Sequence, residues 1–168
     1  MLQSPLDDIS EKSGVELMKE KVSEIWIMAG KWDEEGVVEN NFVRNRRARE
    51  AAENVCRLCP VPITFCGFEV GVDVITGDEL DENDYLYRGM LEHGSRHRRN
   101  SCDPMLVELA ITEDGAVPRY DVVKGTASVD RITDVNCFEK TDTGNHQFVV
   151  RKYPIDCYKK KINILIEL

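Results

Sequence analysis

The side chains best suited to chemistry are thiols and imidazoles, and their spacing admits two uses. Cys56 and Cys59 form a C-x2-C pair, the separation that lets two thiolates grip one zinc ion. His93 and His97 follow as an H-x3-H pair, with Cys102 beyond them. Cys56, Cys59, His93 and His97, with Cys102 as the substitute for the last, make up one candidate set of four ligands. The stretch between the two pairs is much longer than in a compact zinc finger. No H-E-x-x-H places a glutamate for a catalytic metal. The expected cofactor is none, or a structural zinc.

The second use is nucleophilic. Cys102, then His146 at the start of an apolar run, then Asp156 is the chain order of papain-like cysteine hydrolases. The chemistry needs a base beside the thiol and a third group that fixes the imidazole tautomer. Against it, the glycine-rich neighbourhood that usually supplies an oxyanion hole is absent around Cys102, and Pro104 lies close.

Arginines form a third set. Arg44, Arg46, Arg47 and Arg49 cluster in one segment, and Arg96, Arg98 and Arg99 in another. Brought together they would take phosphates or an acidic partner. No aromatic interleaving or glycine-rich phosphate loop accompanies them. Pairing with Glu39, Glu50, Glu53 and the acidic stretch from Asp78 to Asp84 is the simpler expectation. That stretch lacks the glycine and final glutamate of a calcium loop. Trp32, just past the first apolar segment, would be available as an interface anchor if exposed.

The elements that must position these groups follow from the residue pattern. Ser13 with Glu16 is a capping box, and Gly30 sits where a helix should stop. Val15, Met18, Val22, Ile25, Trp26 and Ala29 recur between them at helical spacing. A second helix is expected from Glu39 to Leu58, ended by Pro60 and Pro62. From Ile63 to Val74 the period changes to two, which predicts a strand. Tyr85 to Met105 is irregular. Further strands are expected at Leu106–Thr112, Val117–Val123, Thr126–Phe138, His146–Tyr153 and Lys160–Leu168, with an Asp114-Gly115 turn after the first of them.

The fold expectation is α+β, with two N-terminal helices packed on a mainly antiparallel sheet formed by the C-terminal two-thirds. The 168 residues are read as one domain, 1–59 helical and 60–168 strand-rich. Hydrophobic residues make up 42% and charged residues 32%, which excludes a disordered or low-complexity chain. The net charge of −9 disfavours nucleic acid and anionic membranes away from a local basic patch. The chain has no signal-like start and no membrane-length apolar run, and its six cysteines read as reduced thiols or ligands. An intracellular protein, cytoplasmic or nuclear and not secreted, is expected. The leading functional expectation is a non-enzymatic protein-interaction module or complex subunit, with another protein as partner. The alternatives are the cysteine hydrolase and a nucleic-acid binder using the arginine clusters.

Overall fold

The computed structural model describes residues 1–95, 98–112 and 119–166. Arg96, His97 and the expected Asp114-Gly115 turn lie outside the described residues. In chain order the elements begin with α1 (Gly14–Lys21), β1 (Ile25–Met28), β2 (Val37–Val38), α2 (Asn40–Val43) and α3 (Arg46–Leu58). β3 (Ile63–Cys66), α4 (Phe68–Gly71), β4 (Ile75–Thr76), α5 (Tyr85–Glu92) and β5 (Arg99–Asn100) follow. The chain continues through α6 (Cys102–Ile111), β6 (Tyr120–Val129), β7 (Val135–Lys140), β8 (His146–Arg151) and α7 (Ile155–Ile166). The mixture of helices and strands is α+β.

The chain divides into two compact units, Met1–Gly67 with Val122–Val149, and Phe68–Asp121 with Val150–Leu168. A six-stranded sheet runs in the order β1-β3-β8-β6-β7-β2. β1 and β8 flank β3 in parallel, while β6 and β2 flank β7 antiparallel. The expected antiparallel part is therefore present, but the sheet is mixed and draws β1 and β2 from the first third of the chain. β3 explains the parallel side. All four of its residues are buried, as a central strand covered on both faces requires.

In the first unit the capping box forms as read. Ser13 accepts from the Glu16 N–H, and the Glu16 carboxylate accepts from the Ser13 N–H at 2.7 Å. The helix does not reach Gly30, however. It stops at Lys21, and Ile25-Trp26-Ile27-Met28 pair with β3 instead. The expected second helix is likewise divided, because Asn45 leaves helical geometry and caps α3 by accepting from the Ala48 N–H at 3.0 Å. The core of this unit gathers Met18, Trp32, Phe42, Ile63, Phe65 and Phe148. Trp32 is not an exposed anchor. It is 5% exposed, and Gly30 at φ +81° has no Cβ to collide with its ring, which a Cβ would approach to 2.3 Å. Between β6 and β7, Asp134 turns the chain at φ 64° and pairs with Arg49 at 2.8 Å.

The expected strand from Ile63 ends at Cys66, still in the first unit, and in the second unit α4 packs on α6. Gly71 permits that contact, since a Cβ there would lie 2.5 Å from the Cys102 Cα. The expected strands at Leu106–Thr112 and Lys160–Leu168 are both corrected to helix. In α6 the buried Cys102, Met105 and Glu108 recur every third residue, a helical rather than an alternating pattern. In α7, Tyr158 and Ile162 are buried one turn apart, with Pro154 just ahead of the first helical residue. The Tyr158 hydroxyl donates to the Arg119 carbonyl and accepts the Lys152 N–H at 3.0 Å, and its ring lies 5.3 Å from that of Tyr120. Arg151 holds Asp73 through two hydrogen bonds of 2.6 and 3.0 Å. Among the described residues, no helix is long and apolar enough to cross a membrane.

Candidate functional site

The second unit contains two neighbouring concavities, and the short ladder of β4 on β5 sets them side by side. Its register places Ile75 opposite Asn100 and Thr76 opposite Arg99. Arg99 and Asn100 line both concavities.

The first is a cavity of about 300 Å³ lined by Leu86 and Met90 of α5, Pro104 of α6 and Ile166 of α7. Leu86 and Met90 are one helical turn apart, so they share a face. Asp84 starts α5 by accepting from the Leu86 N–H at 2.6 Å. At the polar end, which His93, Arg99, Asn100 and Asp103 also line, the buried hydroxyls of Thr76 and Ser101 satisfy each other at 2.6 Å. No residue of α5 is buried, and Tyr85, Leu86 and Leu91 are 91%, 40% and 46% exposed. Placing this much aromatic and aliphatic surface in water forgoes roughly 25 cal/mol for each Å² left uncovered.

The second concavity, about 520 Å³, is lined by Asp78, Arg98, Arg99 and Lys159 over an apolar base of Val72 and Ile75. Asp78 accepts from Lys159 at 2.9 Å and from Arg98 at 3.5 Å. The Lys159 hydrogen bond holds the Asp78 carboxyl below its ordinary range, so it stays ionised and fixes both cationic heads. Arg99 has no ion-pair partner among the described residues. Among the described residues, three cations against one carboxylate leave this wall positive on a chain whose net charge is −9.

Cys56 and Cys59 belong to the first unit, and His93 and Cys102 to the second. His97 lies outside the described residues. Burial, with the neighbouring Cys59 second, pushes the Cys56 thiol up to about 12, so it stays protonated. Cys59 is buried against Met18, its Sγ 3.9 Å from the thioether. Among the described residues, no group of three or more histidine, cysteine, aspartate or glutamate side chains is placed to hold a metal ion.

Of the hydrolase set, Cys102 is buried at the start of α6, and Asp156 is exposed in the first turn of α7. His146 belongs to the first unit and is built into its sheet. The Ala127 N–H donates to His146 Nδ1 at 2.9 Å, and Phe65 meets the ring edge-on at 5.9 Å. The neutral ring therefore carries its proton on Nε2, and neither nitrogen is left to take a thiol proton. Burial lowers the His146 pKa below 6.5. The unfolded chain thus binds a proton more readily than the folded one. The stabilisation from this residue is complete above about pH 6.5 and is lost as pH falls through the folded value. Denaturant titrations between pH 7.5 and 5 are expected to show that loss, and His146→Gln to flatten it. An equal slope in the variant would assign the effect elsewhere.

Among the arginines, Arg46 pairs with Glu50 at 2.6 Å, and Arg49 with Asp134. These belong to the first unit with Arg44 and Arg47, whereas Arg98 and Arg99 belong to the second. What sequence reasoning missed is α5 and the union of Arg98 with Lys159 through Asp78. The α5 signal was readable, with Asp84 as a cap and apolar residues at Leu86 and Met90, but Gly89 interrupted it. Searches with the whole chain found no matching protein-family model and no related curated protein.

Proposed function

We propose that this chain is a non-enzymatic protein-interaction module and that the α5 side of its second unit supplies the contact surface. The observation that carries the reading is the helix with no buried side chain, whose Leu86 and Met90 open on an apolar cavity. Exposed apolar surface beside a concavity and rimmed by polar groups is the ordinary form of a protein-binding site. Tyrosine and the larger aliphatic residues are suited to fill or flank such a contact.

Leu86→Asp with Met90→Asp tests it, since neither residue is buried and the fold should tolerate both. A partner recovered by cross-linking from the native source, then purified, should bind the wild-type chain at fixed stoichiometry. The double variant should bind about 100-fold more weakly, the loss of two anchors of roughly 1–2 kcal/mol each. Equal affinity for both proteins, with circular dichroism unchanged, would remove α5 from the contact and the proposal with it.

A further inference from the structure

We infer that the partner segment is an acidic peptide: one apolar side chain enters the Leu86–Met90 cavity while neighbouring carboxylates lie on the Arg98–Arg99–Lys159 wall. This deepens the proposed function and rests on it. Three observations carry it. The two concavities share Arg99 and Asn100, so one short extended segment reaches both. Their chemistries differ: the first is mainly apolar, with Leu86, Met90, Pro104 and Ile166 beside His93 and Asp103, and the second sets Arg98, Arg99 and Lys159 around Asp78. The cations are also prepared for an anion. Asp78 already orients Arg98 and Lys159, and Arg99 stands beside them without an ion-pair partner among the described residues. A guanidinium fork suits a carboxylate, which it holds through two parallel hydrogen bonds.

The excess of cations matters because of the charge around it. An acidic chain repels acidic partners except where its own cations collect, so this wall is where such a segment can land in register. The apolar cavity supplies affinity, and the wall supplies orientation and selectivity. A lysine-rich segment with the same anchor would meet the wall as like charge and be rejected.

The experiment is selection of a random displayed peptide library on the full chain, followed by affinity measurements with the selected peptides. The enriched peptides should share one large apolar residue with aspartate or glutamate within a few positions. A selected peptide should lose about tenfold in affinity on Arg99→Glu, a substitution that breaks no ion pair seen in the structure. It should lose affinity on Leu86→Asp as well, and weaken as salt is raised. Enrichment of apolar peptides without an acidic excess would overturn the inference and leave the interaction reading standing. Enrichment of acidic peptides whose binding ignores Leu86→Asp would overturn the shared use of the two concavities. Tighter binding of an RNA oligonucleotide than of the selected peptide would overturn it in favour of nucleic acid. No enrichment over a blank surface would overturn both.

Discussion

Replacing Trp32 by alanine is expected to lower the unfolding free energy of the first unit by about 3–5 kcal/mol, the range for truncating a buried aromatic. The indole is the hub of the core. Its ring lies 4.7 Å from that of Phe65, 6.0 Å from Phe138 and 6.4 Å from Phe42. Tilted and edge-on pairs of this kind add to the gain from burial alone. The indole N–H also donates to the Ala29 carbonyl at 2.8 Å, so truncation strands an acceptor as it opens a cavity. Gly30 sharpens the case, because its bare Cα lies against the ring and leaves nothing to collapse into the space. Trp32→Phe keeps part of the ring contacts and should cost roughly half as much. Equilibrium denaturation followed by far-ultraviolet circular dichroism measures both. A cost below about 1 kcal/mol for the alanine variant would mean that the indole is not central to this core.

Trp32 also shows how far the sequence could be read. Its position after an apolar segment was visible, but its burial was not. That burial depends on Phe42 across an intervening turn and on Phe65 and Phe138, which lie far along the chain from it. Local chemistry was legible where it acts locally. The capping box at Ser13 and Glu16, the strand beginning at Ile63 and the strand beginning at His146 all depend on neighbours in sequence. Periodicity failed where a short apolar run satisfied two templates. Val22, Ile25, Trp26 and Ala29 fit a helix, yet the four residues from Ile25 are also the length of a buried strand, and β3 offers them a partner. Ile162, Ile164 and Ile166 alternate, but Tyr158 and Ile162 are one helical turn apart, and the helix wins by burying both.

The candidate site was less legible than the fold, and for a different reason. Arg98 and Arg99 stood out as charge, and Asp78 as part of an acidic loop. Nothing in the sequence joined either to Lys159, which reaches Asp78 from α7. The acidic stretch that lacks a calcium loop's glycine and final glutamate thereby supplies, through Asp78, the clamp of a basic wall. The thiols show the converse. Cys56 and Cys59 had the spacing of a metal pair, whereas burial keeps Cys56 protonated and turns Cys59 toward Met18. Spacing sets which groups can meet along one element, and tertiary packing decides what surrounds them.

The second large effect is expected at Glu108, whose carboxylate is 2% exposed on α6. It is paired with the Arg119 guanidinium, and the Thr112 hydroxyl lies 3.4 Å from the same oxygen. A charge this deep is tolerated because it is paired, and the attraction largely offsets the cost of leaving water. Arg119→Met removes the compensation, keeps the aliphatic stem and strands the carboxylate. The expected cost is about 3–5 kcal/mol, well above that of an exposed ion pair. The decisive control is Glu108→Gln on the Arg119→Met background. If the stranded charge is the cause, neutralising it should restore a large part of the loss. Glu108→Gln alone should be costly, because it leaves Arg119 facing a neutral amide. A double-mutant cycle from urea unfolding then reads the coupling directly. Additive losses would show that Arg119 acts through the packing of its stem, and that the pair is not what holds α6 to the segment entering β6.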